Sequence, residues 1–74
     1  MTERRMRHLL DTTPGIGVEV KTSEGFTVYY FYEDFDGPAT GILRAMEQLY
    51  PQLNSGHLIS VKFIENAARK AVRT

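Results

Sequence analysis

Three carboxylates in four residues, Glu33, Asp34 and Asp36, form the densest group of chemistry-bearing side chains in the sequence. Oxygen ligands this close together suit a hard cation such as calcium or magnesium, but the remaining ligands of a calcium loop do not follow. The group reads better as an acidic lead-in to a helix, where negative charge meets the positive end of the helix dipole. Gly37-Pro38-Ala39-Thr40-Gly41 follows, at a strand-to-helix junction of the kind that binds phosphate through backbone N–H groups. It lacks the Gly-Lys-Ser/Thr of a phosphate loop, and the carboxylates before it repel anions, so its Gly and Pro are turn formers. His8 and His57 have neither a cysteine nor a motif-placed serine to complete a nucleophilic triad. Ser55 reads as a loop residue and Ser60 as a sheet-face residue. No catalytic residue, metal site or cofactor is expected.

Cations and rings are the other candidates. The chain has net charge zero, yet residues 1–10 carry +2, residues 11–36 carry −5 and residues 62–74 carry +3. Arg4, Arg5 and Arg7 at one end, with Arg69, Lys70 and Arg73 at the other, can pair with nucleic-acid phosphates or an acidic protein surface. The plainer reading is that they decorate solvated helix ends, since a helix gains from cations in its last turn. Tyr29, Phe31 and Tyr32 are the second candidate. Aromatic and arginine side chains dominate the energy of many interfaces, and a bare strand edge can accept a strand from a partner. The plainer reading here is intramolecular: a first helix docks on the rings through Met6, Leu9 and Leu10.

Positioning these groups requires a small set of elements. Thr2 can cap a helix with Glu3 in its first turn, and Met6, Leu9 and Leu10 make one narrow apolar stripe before the break at Asp11-Thr12-Thr13-Pro14-Gly15. Residues 16–22 alternate as a half-buried strand, Ser23-Glu24-Gly25 turns the chain, and residues 26–32 return as a β-branched and aromatic strand. Phe26, Val28, Tyr30 and Tyr32 line one of its faces, Tyr29 and Phe31 the other. Pro38 suits the first turn of a helix over residues 38–50, with Ala39, Ile42, Leu43, Met46, Leu49, Tyr50 and Leu53 as its apolar stripe. Pro51 and Asn54-Ser55-Gly56 supply its stop. Alternation over residues 57–64 predicts a third strand with Ile59, Val61 and Phe63 on one side and Leu58, Ser60, Lys62 and Ile64 on the other. Residues 65–73 read as a short final helix.

The order α-β-β-α-β-α gives an α+β fold whose three-stranded sheet has order 3-1-2, the third strand antiparallel to the first and parallel to the second. One main helix covers one face. Tyr29, Phe31, Leu58 and Ile64 are left for the terminal helices or another molecule to cover.

Seventy-four residues allow a single domain, with residues 1–12 either flexible or ordered by a partner. A chain this short hides only about 60% of its unfolded surface, so its core must be dense or completed by a partner. The composition, 42% apolar and 24% charged, is that of a globular domain without a membrane span. The absence of cysteine and of a secretory leader makes the cytoplasm the expected compartment.

The stretch 16–64, with its Ser23-Glu24-Gly25 hairpin, its helix beginning at Pro38 and its return strand over residues 57–64, resembles small phage-encoded regulators. The likeness covers 49 of 74 residues. Phage inhibitors and antitermination factors that bind host RNA polymerase are similar in size, mixed charge and lack of cysteine, and anti-CRISPR proteins share the compact pattern. The resemblance implies a non-enzymatic, protein-binding regulator of a larger machine, with host RNA polymerase as partner and transcription as the process. A module for single-stranded nucleic acid is the alternative, the terminal cations holding phosphates and the aromatic strand stacking bases. The expected state is a monomer or a weak homodimer through the edge of the second strand.

Overall fold

The computed structural model describes residues 1–65. Along them run α1 (Glu3–Thr12), β1 (Gly15–Thr22), β2 (Thr27–Glu33), α2 (Pro38–Asn54) and β3 (Leu58–Glu65). The sheet order is β2-β1-β3, and both neighbours run antiparallel to the central β1, which is the expected α+β arrangement. Glu65 closes β3; the rest of the final helix expected over residues 65–73, with Arg69, Lys70 and Arg73, lies outside the described residues.

Each face of β1 has its own cover because its side chains alternate. Ile16, Val18 and Val20 point toward α2 and are buried; Val18 and Val20 form with Ala45, Leu49 and Leu58 the main core, against which Val28, Tyr30, Tyr32, Leu53, Val61 and Phe63 are packed. The opposite face of β1 carries Gly15 and Gly17, whose missing side chains leave space for a helix to lie close. A Cβ at Gly17 would stand 2.7 Å from Met6 Sδ and 3.2 Å from Leu10 Cδ1, so those two buried side chains of α1 fill that space. Thr2 caps α1 as its sequence predicts, its side-chain oxygen accepting from the Arg5 N–H at 3.1 Å.

Two expectations change. The alternation that placed Ile59 with Val61 and Phe63 fails, because Lys21 pairs with Ser60 while Thr22 pairs with Leu58, and the skipped Ile59 forms a bulge. Leu58 is thereby turned into the core at 6% exposure and Ile59 out to 67%. Helix α2 does not stop at residue 50 but continues through Pro51 to Asn54. Proline removes one backbone hydrogen bond there, and the packing of Leu53 against the core holds the last turn helical. The apolar stripe of α2 is wider than the surface it covers: Leu49 and Ala45 are buried, whereas Leu43 is 63% and Tyr50 58% exposed.

Candidate protein-binding surfaces

The predicted site residues separate across the sheet. Tyr29 and Phe31 lie on the α1 face, paired with Glu19 and Gly17 of β1. Tyr32 lies on the α2 face beside Tyr30, their ring centroids 6.3 Å apart, and its hydroxyl donates to Gln48 Oε1 at 2.9 Å. All three rings are half-buried. Phe31 sits over Gly15, where an added Cβ would collide with its ring, so the packing of β1 itself fixes that side chain. The three rings therefore do not form one continuous aromatic patch, and Tyr29 is a ring on which an α1 cation, Arg7, acts.

Those cations are Arg4, Arg5 and Arg7, all exposed. Arg7 pairs with Glu3 one turn earlier, Nη2 to Oε2 at 3.0 Å, with both side chains about half exposed, a geometry that contributes little. Among the described residues Arg4 and Arg5 make no ion pair. Burial, then the charges of Glu3 and Glu19 and a hydrogen bond with Glu19, push the Tyr29 phenol above its ordinary value of 10.0, and the Arg7 charge opposes them.

The outer edge of β2 is closed by its own chain. Thr22 N–H donates to Phe26 O and Asp34 N–H to Pro14 O, which turns the even-numbered residues of β2 toward β1 and leaves the backbone groups of Thr27, Tyr29, Phe31 and Glu33 facing outward. The Met1 backbone nitrogen donates to Tyr29 O at 3.3 Å, and Arg44 Nη1 to Glu33 O at 3.2 Å. Leu9 from one side and Gln48 from the other flank the groove between these bonds, which has a volume of about 460 Å³. Cations and overhanging helices are the devices by which edge strands are kept from pairing with other chains.

The acidic group does not assemble a metal site. Asp34 is buried at 1% exposure against the first turns of α2, where a Cβ at Gly41 would stand 3.1 Å from its Oδ2, while Glu33 and Asp36 are exposed. Among the described residues no group of three His, Cys, Asp or Glu side chains stands where it could hold a metal ion. His57 is a loop residue, its Nδ1 2.6 Å from Ser55 Oγ. No helix of the described residues is long and apolar enough to cross a membrane.

Tyr32 gives a pH test of the α2 face. Burial raises its phenol above 10.0, the neighbouring Tyr30 adding to the shift, so above pH 10 the unfolded chain loses that proton before the folded one does. Stability from this residue is complete below pH 10 and declines as pH climbs through the folded value. Urea midpoints of Tyr32→Phe are expected to fall less than those of the parent between about pH 9 and about pH 11. Equal declines would place the hydroxyl in water.

Sequence reasoning missed the outer flank of α2 and the bulge at Ile59. Periodicity gives the angle of an apolar residue around a helix, but not how much sheet lies beneath, and three strands are too narrow to cover an arc reaching from Ala45 to Leu43. Compared with known proteins, the chain matches no family model, no curated protein and no solved structure.

Proposed function

We propose that the chain is a non-enzymatic protein-binding module that docks the outer face of α1 on an acidic surface of a larger partner. The observation that supports this reading is where the arginines sit. Arg4 and Arg5 fall in the first turn of α1 and Arg7 follows, whereas the last turn holds no basic residue and contains Asp11. Cations at a helix N-terminus oppose the dipole and cost a few tenths of a kcal/mol to about 1 kcal/mol each. The plainer reading, cations that support a helix C-terminus, thus has no support at α1. Charges held where they weaken their own helix are what a binding surface leaves behind. Tyr29 supplies an aromatic ring within reach of the Arg7 charge, and arginine and tyrosine are among the residues that most often anchor an interface.

The architectural resemblance makes bacterial RNA polymerase the first partner to test. A complex is expected on mixing the purified proteins. Arg4→Glu/Arg5→Glu should weaken it by about tenfold or more, while leaving the free chain no less stable than the parent, because acids suit a helix N-terminus. Undiminished affinity in the double variant would refute the docking surface. Retention on single-stranded RNA, falling steeply with salt, together with no protein complex, would transfer the same arginines to phosphate binding.

A further inference from the structure

The two edges of the sheet are not alike. In β3 the residues bonded to β1 are Ser60, Lys62 and Ile64, opposite Lys21, Glu19 and Gly17, so the N–H and C=O groups of Val61 and Phe63 face outward. Among the described residues no hydrogen bond reaches them, whereas β2 has Met1 and Arg44 on its outward carbonyls. Beside the open edge lies apolar surface. Arg44 and Gln48 bond to β2, which fixes the flank of α2 over that strand; at 100° per residue the opposite flank, over β3, carries Ala39, Met46, Tyr50 and Leu53, with Leu43 just outside. Tyr50 and Leu43 are each more than half exposed on this flank, the bulged Ile59 of β3 is 67% exposed, and Arg44 and Glu47, the two charged residues of α2, both lie outside the flank.

We infer that a second copy of this chain occupies the β3 edge, two β3 strands pairing antiparallel about a two-fold axis to make one six-stranded sheet. The surface is self-complementary, which a two-fold contact requires. That axis stands perpendicular to the sheet, so it places both α2 helices on the same face with their apolar flanks toward each other. The two β1 strands, and the helices centred over them, are then three strand spacings or about 14 Å apart. Helices in direct contact pack about 8–10 Å apart, so the wider spacing leaves a gap that the large side chains Met46, Tyr50 and Leu43 fill from both sides, above Phe63. Charge selects the register. Centring on Lys62 would set the two Lys62 ammonium groups opposite each other, whereas centring on Val61 or Phe63 sets Lys62 opposite the second copy's Ser60 or Ile64.

The same two-fold axis puts both α1 helices on the other face, so a dimer displays two arginine surfaces in one direction. The dimer does not depend on the proposed role of those arginines, and its test reads association of the chain with itself.

Sedimentation equilibrium of the full chain from about 1 µM to about 1 mM should show a monomer–dimer equilibrium. Ile59→Lys and Tyr50→Lys, both at exposed positions, should each weaken it by about tenfold or more without changing the melting of the diluted monomer. Phe35→Lys, also exposed but on the loop after β2, should leave it unchanged. Hydrogen exchange gives a second readout: the amides of Val61 and Phe63 should become protected as concentration rises, while those of Ser60 and Lys62 are protected throughout. A monomer at every concentration would overturn the inference, as would association untouched by Ile59→Lys and Tyr50→Lys. Protection of Val61 and Phe63 in the dilute monomer would also overturn it, because residues 66–74 or another segment of the same chain would then hold the edge.

Discussion

Gly15→Ala is expected to remove about 3 kcal/mol of folding stability, the upper part of the range for forcing atoms into a packed site. The new methyl group would overlap the Phe31 ring and stand 2.7 Å from the Tyr32 carbonyl oxygen. A ring can turn, but the carbonyl belongs to the β2 backbone opposite β1 and can move only if the strand pair opens. A domain of this size has about 4–11 kcal/mol in total, so the loss is a large fraction of it. At about 4–8 °C per kcal/mol the melting temperature should fall by at least about 12 °C.

Comparison with two other glycines shows whether backbone contact is the cause. At Gly17 the nearest atom to an added Cβ is the sulfur of Met6, a flexible side chain that can shift by a few tenths of an ångström. Gly17→Ala should therefore cost clearly less than Gly15→Ala. Gly25 has open space around its Cβ position but a φ of 93°, and Gly25→Ala should cost about 1 kcal/mol through backbone strain alone. A denaturation series that ranks Gly17→Ala above Gly15→Ala would contradict the packing described for the α1 face.

These glycines also show where sequence reading stops. Period-two alternation located β1, and turn residues located the hairpin, because both are local signals carried by consecutive residues. The sequence places Gly15 in the break before the strand and Gly17 on its polar side, and nothing local says that the space at these two glycines is filled by Phe31 and by Met6 with Leu10. The bulge was equally hidden: residues 58–63 contain no glycine or proline to mark it, and the skipped Ile59 follows from fitting β3 to β1 at both ends. Sheet order was legible, since a single helix between strands two and three forces them parallel and leaves the first strand between them. The candidate site was legible only in part. Arg7 acts on Tyr29 across the α1 face, but Tyr32 belongs to the other face, and the closure of the β2 edge depends on Arg44, a residue eleven positions beyond the carbonyl it holds.

Met6→Ala carries the argument from packing to function. Met6 is fully buried, and truncating a buried methionine costs about 2–5 kcal/mol where the fold stays cooperative. Here the loss should be confined. Helix α1 has ten residues, too few to persist unaided in water, and Met6 and Leu10 are its two buried anchors. Removing one leaves about 1.5–3 kcal/mol of apolar burial to hold the helix down. The core of Val18, Val20, Ala45 and Leu49 lies on the opposite face and loses no contact of its own. The expected result is hydrogen exchange that becomes fast over residues 3–12 while β1 and α2 stay protected, and a smaller urea m-value because less surface is buried in what remains. Two functional losses should accompany it. Partner affinity falls although every arginine is present, since their spacing is lost with the helix. Self-association grows less specific, because release of Met1 frees the Tyr29 carbonyl and opens the β2 edge to other chains. If α1 instead exchanges only with global unfolding, at an unchanged m-value, the helix and sheet form one cooperative unit and α1 cannot open independently of the core.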